Sequence, residues 1–232
     1  MCPVSERSYL VTERLYFFGD SICFGQHVSP HETWIACIAA RLAERYGPDA
    51  YMVNNPSISG DTTRKALERM PQDVQAHAPD YCIVQFGMND CNFWQSDRGL
   101  PRVSPDAFVA NLDEILERLR TFGTRRIFLN TNHPSSRVEP SAWAPVGYQA
   151  HNERYNHLIR AVAERHRSAV MLIDVEAAWR DRIRAGQSLS DLILADGIHL
   201  SRQGHAAYCE IVWDHVSEAL DAARQADRQR AS

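Results

Sequence analysis

Five short apolar runs punctuate the chain, at residues 15–18, 51–53, 81–86, 127–129 and 169–173. They are rich in β-branched and aromatic residues and mostly do not alternate with polar ones. That pattern predicts strands covered on both faces, as in a parallel sheet. Between the runs, apolar positions recur at helical spacing. Trp34, Ile38 and Leu42 form one stripe, with Ile35 beside it. Phe108, Leu112, Ile115, Leu116, Leu119 and Phe122 form another, and Ser104-Pro105 offers it a start. Tyr155, Leu158, Ile159 and Val162 mark a third. Tyr208, Ile211, Val212, Val216 and Leu220 mark the last, opened by Ser201. Strands alternating with helices require right-handed crossovers, so the expected fold is α/β: a three-layer α/β/α sandwich on a five-stranded parallel sheet. From about residue 222 the chain turns polar, which predicts a frayed end.

Composition adds boundaries rather than detail. The chain has 232 residues, 44% hydrophobic and 23% charged, enough for one domain over 1–232 with its core at about 13–221. The formal net charge of -4 and the absence of a basic stripe argue against a nucleic-acid partner. No run approaches the ~18 apolar residues of a membrane span. The first residues lack the apolar core of a signal peptide, so a cytoplasmic location is expected. None of the six cysteines forms a C-x-x-C pair, which speaks against a metal or dithiol site. Cys37, Cys82 and Cys209 fall in apolar strand or helix patterns and read as buried free thiols of a reduced compartment. Oligomeric state is left open.

Four segments carry the chemistry. Gly19-Asp20-Ser21 follows the first predicted strand, Gly60 the second, and Gly87-Met88-Asn89-Asp90 the third; Asp196-Gly197-Ile198-His199 precedes the last helix. Each alone is an ordinary turn sequence. Together they supply a hydroxyl nucleophile in Ser21 and a base in His199. Asp196, three residues before it, can fix the imidazole tautomer. Backbone N–H groups at Ser21 and Gly60 and the amide of Asn89 are donor types that suit an oxyanion. Other signatures fail. There is no G-x-S-x-G elbow, no G-x-G-x-x-G and no Walker loop, and His31-Glu32 lacks a second histidine.

The set resembles blocks I, II, III and V of the SGNH hydrolases, also called GDSL esterases and lipases. The matching residues are Gly19–Gly25 with its Gly-Asp-Ser, Gly60, Gly-x-Asn-Asp at Gly87–Asp90, and Asp-Gly-x-His-Leu-Ser-x-x-Gly at Asp196–Gly204. Ile22 stands where the name motif has leucine. The resemblance implies a flavodoxin-like sheet in the order 2-1-3-4-5 and no cofactor. It also implies Ser21 as nucleophile, His199 as base, Asp196 as its partner, and Ser21, Gly60 and Asn89 as the oxyanion hole.

Two long connections, 91–103 and 131–148, follow predicted strands and should project from the carboxyl edge of the sheet, where ligands bind in such folds. With the motif aspartates they nominate a pocket of Asp20, Asp90, Phe93, Trp94, His133 and Trp143. His27 and His31 read as solvated, and Arg98, Arg102 and Arg137 as ordinary surface charge. The mixture of aromatic and polar residues suits a small-molecule ester with a short acyl group, such as acetyl, on a polar alcohol or sugar. The alternatives are a lipid esterase or thioesterase on the same residues, an acyltransferase, or a non-catalytic flavodoxin-like binding module.

Overall fold

A computed structural model describes residues 12–142 and 144–231 of the chain. Five strands form one parallel sheet in the order β2-β1-β3-β4-β5. They are β1 (Glu13–Gly19), β2 (Tyr51–Asn54), β3 (Tyr81–Gln85), β4 (Arg126–Asn130) and β5 (Val170–Ile173). Each covers or overlaps an apolar run read from the sequence. All five residues of β3 are buried, as expected of a strand enclosed on both sides and in both directions. Registers run Leu15↔Tyr81 to Gly19↔Gln85 and Glu13↔Tyr51 to Tyr16↔Asn54, so β1 and β3 end level with one another and β2 ends lower, opposite Tyr16.

The helices are α1 (Ser21–Phe24), α2 (Trp34–Tyr46), α3 (Thr63–Asp73), α4 (Pro105–Thr121), α5 (Tyr148–Arg165), α6 (Val175–Arg184), α7 (Leu189–Leu192) and α8 (Arg202–Ala231). Local chemistry sets several starts. Thr33 caps α2 by accepting the Ala36 N–H at 3.1 Å, and Ser104 caps α4 ahead of Pro105. Ser201 accepts the Gly204 N–H at 3.0 Å and opens α8. Trp34, fully buried, joins three elements beneath the nucleophile candidate. Its ring lies 5.1 Å from Phe17 of β1 and 4.7 Å from Tyr208 of α8, and its indole N–H donates to the Ile22 carbonyl at 2.8 Å.

Three expectations need correction. Phe122 does not complete the α4 stripe: it follows the helix and is 45% exposed. The polar end does not fray from residue 222. It continues α8 through Ala231, docked by Arg224 over the rings of Tyr46 and Tyr51 and by an Arg125–Asp227 ion pair at 3.6 Å. Cys37 and Cys209 are not free thiols. They form a disulfide between α2 and α8, with Cα atoms 6.2 Å apart, whereas Cys23, Cys82 and Cys91 are free and buried. The disulfide removes the argument for a reduced compartment. No helix among the described residues is long and apolar enough to cross a membrane.

Candidate active site

The carboxyl ends of β1 and β3 bring the motif segments together. After β1 the chain passes through Asp20 into the single turn of α1. The Asp20 carboxylate accepts the Ile22 N–H at 3.0 Å, capping that turn and placing Ser21 first in it. Gly19 has no room for a side chain, since a Cβ would lie 2.6 Å from Cys23 Sγ and 2.7 Å from the Gln85 carbonyl. Gly25 ends the turn in the left-handed region, φ 80°.

Residues 21 and 199 meet here. His199 Nε2 lies 3.0 Å from Ser21 Oγ, and His199 Nδ1 lies 2.6 Å from Asp196 Oδ2. The other oxygen of Asp196 accepts the N–H groups of Ile198 and His199, each at 2.9 Å. That compact turn is what the three-residue spacing allowed. Partial burial pushes the Asp196 carboxyl up. The hydrogen bonds from His199 and from the Ile198 and His199 N–H groups outweigh it and bring it down to about 2. Asp196 is therefore ionised at any working pH, and its acceptor oxygen requires the His199 Nδ1 to carry hydrogen. That leaves the Nε2 lone pair facing the serine hydroxyl. The turn is itself held from outside. Ser135 Oγ donates to the Gly197 carbonyl at 2.6 Å, and Arg137 Nε to the Asp196 carbonyl at 2.7 Å. At Gly197, φ 77°, a Cβ would meet Ser136 Oγ at 2.7 Å.

On the opposite side, the Asn89 amide donates to Asp20 Oδ2 at 3.3 Å and accepts from Arg102 at 3.2 Å. Gly60 occupies a turn with φ 80° and open space where a side chain would project. The following Asp61 is held by Arg69 at 2.6 Å. Asp90 does not face solvent: it accepts from the Thr63 N–H at 2.9 Å and hydroxyl at 2.5 Å, capping α3 from a distance. Burial raises the Asp20 carboxyl to about 7 and the Asp90 carboxyl to about 6.

The nominated pocket residues separate into two groups. Asp20, Asp90 and His133 are fully buried and support the site without reaching a ligand. His133 stacks on Trp179 at 4.8 Å and bonds the Pro134 carbonyl, and burial lowers its imidazole to about 4. Phe93 and Trp94 do lie at the surface: Phe93 packs 5.1 Å from His151, and Trp94 is 56% exposed over Arg102. Trp143 lies outside the described residues. His27, read as solvated, stands edge-on to His199 at 5.0 Å with an unusual φ of 72°. His27, Asp196 and His199 could offer three metal-ligand atoms within 4.8 Å of one another, but two of these residues are already engaged with each other and with Ser21. Arg102 and Arg137, read as surface charge, instead brace the site. Nothing in local sequence distinguishes a bracing arginine from a solvated one.

The chain is similar to known esterases and to a solved α/β hydrolase. Esterase TesA of Pseudomonas aeruginosa is 26% identical over 90% of each chain, and an acetylxylan esterase of Geobacillus stearothermophilus is 25% identical over 83% of this chain and 89% of its own. An arylesterase of Vibrio mimicus is 29% identical, but the match spans about half of each protein, 53% of this chain and 56% of that one. Among solved structures, LAE5, an α/β hydrolase enzyme from the Lake Arreo metagenome, superposes with a TM-score of 0.71 at 26% identity, covering 86% of this chain and 93% of its own. Residues 17–207 match the family model, a span that holds all four motif segments; the chain belongs to the GDSL-like lipase/acylhydrolase family.

Proposed function

We propose that this acylhydrolase cleaves a carboxylic ester through an acyl-enzyme on Ser21. The observation that carries the reading is the unbroken series from Ser21 Oγ to His199 to Asp196, at 3.0 and 2.6 Å. In the first step Ser21 Oγ adds to the ester carbonyl and its proton passes to His199 Nε2. The carbon–oxygen bond to the alcohol then breaks, and the alcohol leaves with that proton. Water repeats the sequence: its oxygen joins the acyl carbon, its proton goes to His199, and Ser21 recovers a proton as the acid departs. The negative oxygen formed each time is met by the Ser21 N–H, the Gly60 N–H and the Asn89 amide.

The groups beside the nucleophile are polar. The Gln26 N–H donates to the Ser21 carbonyl while its side chain bonds Ser59, His27 stands edge-on to His199, and Arg102 reaches Asn89; these groups favour a short acyl group on a polar alcohol, acetyl on a sugar being the leading case. The acetylxylan esterase relative points the same way. TesA supports the competing lipid-ester or thioester reading. Ser21→Ala protein assayed on nitrophenyl esters from acetate to decanoate tests both levels. Parent activity should be highest on the shortest chains and should vanish in the variant. Full activity in Ser21→Ala ends the mechanism; a preference beyond about eight carbons ends the short-acyl assignment.

A further inference from the structure

Arg102 belongs to none of the motif segments, yet one guanidinium reaches both loops that carry oxyanion donors. One terminal nitrogen donates to Asn89 Oδ1 at 3.2 Å and the other to the Gly60 carbonyl at 3.2 Å. Trp94 lies against the guanidinium, 4.7 Å from carbon to ring centroid, and the Arg102 N–H is fixed to the Asn92 carbonyl at 2.8 Å. The head group is thus set in its plane from the face and anchored through its own backbone.

A terminal amide has a weak preference between its two ends: the torsion is broad and roughly two-fold. Turned the wrong way, Asn89 would present its oxygen to a developing negative charge. Arg102 forbids that turn. A guanidinium only donates, so it can engage only the oxygen of Asn89, and the NH₂ is thereby left on the side of Asp20, whose Oδ2 accepts it at 3.3 Å. The orientation of Asn89 follows from the donor-only character of the guanidinium, with Asp20 as acceptor at its other end. The same fork ties the turn at Gly60 to Asn89, so that two donors on separate loops keep one spacing.

We propose that Arg102 is a positioning residue that aligns Asn89 and the Gly60 turn as one oxyanion-binding unit; this rests on the serine-ester reading above. It acts through those two residues and touches no reacting atom. A lysine cannot replace it, because one ammonium on a flexible stem does not span two acceptors in a fixed fork.

The test is a double-mutant cycle of Arg102→Ala with Asn89→Ala, with kcat and KM measured on a short nitrophenyl ester and thermal melts run alongside. Arg102→Ala should lower kcat about 10- to 100-fold with KM within about threefold of the parent. The double variant should fall at most a few-fold below Asn89→Ala, because Arg102 acts mainly through that amide. Arg102→Lys should remain near the alanine level and covers the case in which Arg102→Ala does not fold. Added guanidinium at tens of millimolar should raise the alanine variant and leave the lysine variant unchanged. Independent losses that multiply, a loss confined to KM, or full activity in Arg102→Lys would each overturn the proposal. Ser21→Ala separates the two readings: if it is inactive and the cycle is multiplicative, only Arg102's role fails; if it is fully active, the mechanism beneath it fails.

Discussion

The two long loops flank the same serine, and they hold their sides of it by different means. The loop at 131–147 holds the His199 side with one buried group, Ser135, 2% exposed on the Gly197 carbonyl, and with two exposed ones, the Ser136 N–H on the same carbonyl at 3.2 Å and Arg137 on the Asp196 carbonyl. The loop at 91–103 holds the Asn89 side, the proposed oxyanion side, with a partly exposed arginine under an exposed tryptophan. The His199 side thus has an anchor in the interior through Ser135, whereas the Asn89 side is held by a charged fork at the surface. A buried brace is insensitive to salt and solvent; a surface fork is within their reach. The proposed site therefore has one stiffer half and one more adjustable half.

The largest expected effect lies on the stiff half. His199→Ala should lower kcat by about 10⁴-fold or more, since it removes the imidazole that faces Ser21 Oγ. Asn89→Ala, on the other half, should cost about 10²–10³, with the Ser21 and Gly60 N–H groups left in place. Steady-state kinetics on one ester measure both, and equal losses would erase the distinction. Next in size is the disulfide, which ties α8, the helix just after His199, to α2. Cys209→Ala should lose about 2–5 kcal/mol of stability with kcat unchanged at room temperature. Urea melts and room-temperature rates check this, and a fall in kcat would mean that the base side depends on the crosslink.

The smallest effect concerns the carboxyl group behind Asn89. Burial raises the Asp20 carboxyl to about 7, above its unfolded value of about 3.9. The unfolded chain therefore releases this proton first as pH rises. The associated stability is fully present below about pH 4 and is lost as pH climbs through 7. Asp20→Asn should then gain on the parent by about 1–3 kcal/mol between pH 5 and pH 8. Urea midpoints at the two pH values measure the difference, and a constant offset would show that Asp20 does not titrate in that range.

The sheet was legible because enclosed parallel strands must be continuously apolar, and runs such as 81–86 can satisfy little else. The motif segments were legible because sharp turns at strand ends restrict residue choice, as at Gly19 and Gly197. What escaped involved partners distant in sequence. Cys37 and Cys209 are 172 residues apart, and helical periodicity places each on an inner face without saying which faces meet. Arg102 and Arg137 sit in polar loops, where composition cannot show what a guanidinium reaches. His133 was placed in a pocket wall by its position in the 131–148 connection, whereas stacking on Trp179 and a bond to the Pro134 carbonyl suffice to bury it neutral. The end of α8 read as frayed because its anchors, Tyr46, Tyr51 and Arg125, belong to other elements.

The Cys37–Cys209 bond also changes the topology of the chain. It closes β2 through β5 into a covalent ring and leaves β1 and Ser21 on an arm outside it. Residues 136–140 form an exposed stretch within that ring. A protease cut there opens the ring without releasing a fragment, so a clipped molecule keeps its full mass until a reductant separates the halves.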